Sequence, residues 1–177
     1  AGPPPAASPE SLVAQLAGAY QQFDLAWYTS LFPSPGDSLA FFFSFDFRLE
    51  AGRDVLAAPP MAGWDLAEEL RIHRRMFTPL DTLPAEVPVP EELRLQALDV
   101  QLERLEEWSE RPDLYRSESN PDGVDPVRWW LAGARYRYSL LVQTLGETDY
   151  LASGQSVFVV AENRLATAGS AGKYVLY

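Results

Sequence analysis

His73 is the only histidine in the chain, and histidine is the side chain whose ordinary pKa lets it trade a proton near neutrality. It falls at helical offsets from Leu66, Leu70 and Phe77, so it shares an apolar helix face with them. Two readings follow. His73 is either a general base lining a pocket, or a buried histidine hydrogen-bonded to a carboxylate or a backbone carbonyl; the second is the expectation. A lone histidine also argues against a multi-histidine metal centre, and no metal ligand set is assigned. Asp46 and Asp99 are the next candidates, because each interrupts an apolar strand pattern. A carboxyl buried in such a strand has its pKa raised and can act as a general base. Each also has a plainer reading. Asp46 can face solvent beside Arg48 and Glu50, and Asp99 can pair with Arg135 or Arg137.

The aromatics Tyr20, Trp27, Tyr28, Trp64, Trp130, Tyr136 and Tyr138 are candidates to line an apolar ligand pocket with polar tips, or else simply to fill a core. Glu118, Asn120, Asp122 and Gly123 are spaced like the start of a calcium loop. The twelfth position, which should supply a bidentate glutamate, is Trp129, so Asn120-Pro121-Asp122-Gly123 reads as a turn. Arg71, Arg74 and Arg75 read as a solvated face answering Glu68 and Glu69. There is no Gly-rich phosphate loop, no Gly-x-Ser-x-Gly elbow and no Ser/His/Asp arrangement, and no cofactor is implied.

Composition narrows the partners. The 177 residues suit one domain with a real core, and the 47% apolar and 22% charged residues are ordinary for a globular chain. A net charge of −11 repels the phosphate backbone, so nucleic acid is not an expected partner. The same charge leaves no basic patch for anionic lipid. The absence of cysteine removes disulfides, thiolate nucleophiles and cysteine-ligated metals. The longest apolar run, Leu39 to Phe43, is far too short to span a bilayer as a helix. Residues 1–8 read as a stiff Pro/Ala tether at a mature or trimmed N-terminus, and 9–177 as a single domain.

The elements that must position these residues are marked in the sequence. Ser8-Pro9-Glu10 is a helix start, with Leu12, Leu16, Ala19, Tyr20 and Phe23 at spacings of three and four. Asp24 caps a second helix that Pro33-Ser34-Pro35-Gly36 ends, so the chain must bend sharply between the two. Leu39 to Leu49 alternates as a strand. Asp65, with Glu68 three residues on, opens a third helix that ends near Phe77, before a proline-rich loop carrying Pro79, Pro84, Pro88 and Pro90. Leu93 to Trp108 alternates but switches phase near Asp99, which predicts a bulge or a strong bend. Trp130 to Val142, Gln155 to Asn163 and Lys173 to Tyr177 read as the remaining strands, with a turn at Gly146 to Asp149. Helices first and antiparallel strands afterwards predict an α+β fold, with helices packed on the concave face of a curved, mainly antiparallel sheet, a cone-like half barrel.

This order of elements resembles the nuclear-transport-factor-two-like superfamily, which includes SnoaL-like polyketide cyclases and ketosteroid-isomerase-like proteins. Leu16-Ala17-Gly18-Ala19-Tyr20, Phe23 to Tyr28 and Leu31-Phe32 look like its first helix, acidic break and second helix. Trp64 to Phe77, Glu110 to Tyr115 and Asn120 to Gly123 are similar to segments of uncharacterised bacterial lipoproteins of this kind. The resemblance implies a cone-shaped pocket between helices and sheet and a periplasmic or extracellular place. Contact with the membrane would come only through an N-terminal lipid anchor absent from this sequence. It implies either a domain that binds an apolar small molecule or acts as an interaction module, or a small cofactor-free isomerase, lyase or hydrolase using a pocket His or Asp, since isomerase and epoxide-hydrolase members use pocket aspartates. A second copy of the chain is a further candidate partner.

Overall fold

The structure is a computed structural model that describes residues 5–34, 37, 39–44, 63–77, 95–116, 123–146, 149–165 and 174–177. Helix α1 spans Pro9–Gln21 and α2 spans Leu25–Ser30. Ser8 caps α1 from an extended backbone, and Ser11 returns the bond from its own hydroxyl, so two orphan N–H groups of the first turn are satisfied. Ser8→Ala is therefore expected to cost about 1 kcal/mol and to lower the melting temperature by about 3 °C. An unchanged thermal melt would show that the cap contributes nothing. Residue Ala6 is buried in the main core cluster, so the tether expected over residues 1–8 is already packed at its end.

The predicted bend after α1 is a helix-ending turn. Asp24 N–H reaches back to Ala19 O at 3.0 Å, and Phe23 takes the left-handed conformation with φ 50°. Glycine is the usual residue there; the phenylalanine instead packs its ring edge-on against Phe77. The Asp24 carboxylate then caps α2 through Trp27 N–H at 2.9 Å. Gly18 lets the two helices close: a β-carbon at this position would lie 2.6 Å from the Trp27 indole.

Strand β1 spans Phe42–Ser44 and pairs with β2, Gly63–Asp65, as a separate two-stranded sheet. Of the long strand expected over Leu39 to Leu49, Leu39 and Phe41 are not in strand, and 45–49, including Asp46, lie outside the described residues. So do the proline-rich loop and Glu118 to Asp122. Helix α3 spans Leu66–Phe77 and follows β2 directly, with Asp65 accepting from Glu68 N–H at 3.0 Å as the sequence predicts.

The main sheet contains β3 (Leu95–Arg104), β4 (Ser109–Glu110), β5 (Trp129–Thr144), β6 (Asp149–Asn163) and β7 (Tyr174–Leu176). Its order is β3-β5-β6-β7, with β4 also on β5, and every pairing is antiparallel. The sheet curls strongly into a half barrel with the helices against it, as the sequence predicts. The predicted bulge is real but falls earlier, at Gln96: the register slips between Leu95 and Ala97, and from there Leu98, Val100 and Leu102 face the helices. Leu98 and Leu102, with Leu140, Val142, Phe158 and Val160, pack with α1 and with Tyr28, Leu31 and Phe32 in and just after α2. A second, smaller core of Val124, Trp129, Leu131, Ala161 and Val175 sits on the opposite face of the sheet.

Candidate functional site

On α3 the buried positions are Glu69, His73 and Phe77, one stripe at spacings of four. This stripe faces Tyr20 on α1, Tyr28 on α2 and Trp64 on β2. Trp64 is delivered by the β1–β2 pairing, where it stands opposite Phe43 with the rings stacked 4.4 Å apart. Its indole Nε1 donates to Glu69 Oε2 at 2.5 Å, while the Tyr28 hydroxyl donates to Glu69 Oε1. The imidazole of His73 stacks on the Tyr28 ring at 4.1 Å and takes the Tyr20 and Phe77 rings edge-on.

The hydrogen bonds fix the tautomer. His73 Nδ1 lies 2.9 Å from the Glu69 backbone carbonyl, which can only accept, so the proton sits on Nδ1. Nε2 is then the acceptor for the Tyr20 hydroxyl. The Nδ1 proton also faces Glu69 Oε1 at 3.3 Å. Burial lowers the His73 pKa below 6.5, partly opposed by the Glu69 carbonyl and the Glu69 charge. Burial likewise pushes the Tyr20 and Tyr28 hydroxyls well above the ordinary phenol range, and the Glu69 charge pushes both further.

Carboxylate, imidazole and phenol thus stand in the order of a proton relay. The chemistry nevertheless runs against one. An activated phenol needs a lowered pKa, and Tyr20 is held protonated. Both imidazole nitrogens and both carboxylate oxygens are already engaged with neighbouring protein groups. What the arrangement does is tie α2 and β2 to α3 through the buried Glu69 carboxylate, and α1 to α3 through the His73 imidazole.

The other sequence candidates are dispersed. Asp99 is exposed and accepts from Gln101 at 3.2 Å and Gln21 at 3.4 Å, sharing no hydrogen-bond partner with His73 among the described residues. Its expected partners are engaged elsewhere, Arg135 with Glu106 at 3.2 Å and Arg137 with Glu103 at 2.7 Å. Of the seven aromatics, Tyr20, Tyr28 and Trp64 belong to the polar network. Trp27 packs on Gly18, Tyr136 sits between Trp108 and Phe158, Trp130 stacks under Arg164, and Tyr138 lies over Gly154. Arg71 does answer Glu68 on an exposed face. Glu69, expected beside it in solvent, is instead the buried centre of the network. The signal for it was positional, since Glu69 lies four residues before His73 and eight before Phe77.

Comparison of the chain with protein-family models, with curated proteins and with solved structures finds no match.

Proposed function

We propose that this chain is a non-catalytic binding domain of the nuclear-transport-factor-two-like kind, placed outside the cytoplasm, that takes an apolar small molecule on the concave face of its sheet. The observation that carries the reading is the closure of the Tyr20–His73–Glu69–Tyr28–Trp64 network on itself. A catalytic pair must present a free lone pair or proton in a pocket; this one is consumed in holding helices. The element order and the curled sheet support the superfamily resemblance. The surface that this reading gives the ligand is the helix-facing side of β6 at Tyr150 and Ala152, which are exposed.

Titration with Nile red, a neutral dye whose emission rises in apolar surroundings, tests the proposal. Saturable one-site binding is expected. Tyr150→Ser should weaken it by about tenfold, from the lost aromatic area. Tyr20→Phe should leave the affinity of the folded protein unchanged. Emission that never saturates would overturn the proposal. So would loss of binding in Tyr20→Phe with none in Tyr150→Ser, because that would place the ligand at the polar network.

A further inference from the structure

Among the described residues strand β6 carries an open edge. On one side β5 pairs with it without a slip from Trp129↔Asn163 to Gln143↔Asp149. On the other side β7 reaches only Val160, Ala161 and Glu162, and Tyr177 N–H adds a bond to Val159 O at 2.9 Å. Among the described residues nothing pairs with that outer side from Asp149 to Phe158. The direction of its hydrogen-bonding groups is fixed. Val159 turns its carbonyl outward, and in an unbulged strand backbone groups alternate, so Leu151, Ser153, Gln155 and Val157 also turn N–H and C=O outward.

Edges left open in stable monomers are usually guarded by lysine, proline, an inward charge or a bulge. Tyr150 to Phe158 contains no charged residue, no proline and no bulge. Leu151 and Val157 instead expose 68% and 40% of their surface. With a net charge of −11, two copies of this chain repel one another. A nine-residue neutral edge is a place where they can meet without opposing like charges.

We propose that two copies pair antiparallel through this edge of β6, about a two-fold axis at Gly154. That register sets Leu151 opposite Val157 of the second copy and Ser153 opposite Gln155, each an outward-facing pair. It forms about eight ladder hydrogen bonds and brings the exposed apolar side chains together on the face away from the helices. Gly154 then faces its own copy as a pair without hydrogen bonds, the closest approach in an antiparallel ladder. A β-carbon there would already meet the Tyr138 hydroxyl at 2.9 Å, so the axis falls where the strand is thinnest.

Sedimentation equilibrium of the full chain tests this. The native protein should behave as a dimer and Ser153→Pro as a folded monomer. The proline removes an N–H that points away from β5 and leaves the β5–β6 ladder intact. A second variant, Ala152→Cys with Ser156→Cys, tests the register in a chain that has no other cysteine. Within one strand these positions are about 14 Å apart and cannot bridge; across the proposed axis they are directly opposite. Oxidation should therefore yield a covalent dimer. A monomeric native protein, a Ser153→Pro variant that remains dimeric, or no covalent dimer from the double variant would each overturn the proposal. Should the proline variant fail to fold, the double variant decides alone.

Discussion

Glu69→Ala is expected to lower the stability by about 3–5 kcal/mol, from a buried and a half-buried donor that lose this acceptor, and the melting temperature by about 10 °C. The Tyr28 hydroxyl and the Trp64 indole N–H both end on this carboxylate, and Tyr28 is almost fully buried. The Tyr28 hydroxyl is shut off from water when the side chain is cut back, because the Phe32, Phe77 and His73 rings pack around the Tyr28 ring. The cost is thus largely the unmet desolvation of the Tyr28 hydroxyl rather than the net worth of two hydrogen bonds. Glu69→Gln should cost about half as much: its amide keeps one acceptor oxygen but turns a donor toward one of the two partners. Glu68→Ala is the control. That carboxylate pairs with Arg71 in solvent, and its removal should leave the melt unchanged. Similar melts for Glu69→Ala and Glu68→Ala would show that the network does not hold the helices.

That comparison bears on what could be read before the structure. Adjacent acids in Asp65-Leu66-Ala67-Glu68-Glu69 look alike in sequence, and charge pairing with Arg71, Arg74 and Arg75 accounts for both. Only the identity of what faces α3 separates them, and that is set by distant residues, Tyr28 on α2 and Trp64 on β2. Local signals performed well where the cause is local. Ser8, Asp24 and Asp65 each cap the helix they were expected to cap. The phase switch in β3 located a bulge to within a few residues, since a slipped pleat moves every later side chain to the other face. The aromatic candidates are not sorted by local signals, for the opposite reason. Alternation places a residue on one face of a sheet, but which end of a curled sheet the helices cover is not written in the period. Asp99 was singled out because it interrupts an apolar run, and that interruption puts it on the solvent face of β3 with Gln101 and Glu103 rather than making it a buried acid.

His73→Ala is expected to cost about 2–3 kcal/mol at neutral pH, since it strands the Tyr20 hydroxyl in a buried setting and removes the ring stacked on Tyr28. The pH dependence gives a readout that mere loss of packing would not. Burial lowers the native His73 pKa below its ordinary value of 6.5, and the groups facing the ring are Tyr20, Tyr28 and Glu69. Between the lowered native value and 6.5 the unfolded chain holds a proton that the native chain does not. Stability therefore rises with pH across that window. It is fully present above 6.5, falls as the pH drops below it, and stops falling once the native histidine itself protonates. Urea midpoints of the native chain should drop on moving from neutral to mildly acidic pH, and the His73→Ala variant, which has no histidine left, should show a shallower drop. Parallel profiles for the two proteins would mean that the imidazole is protonated as easily in the fold as in solvent. In that case its environment would be open, and the case for His73 as a pocket residue would replace the case for it as a tie between helices.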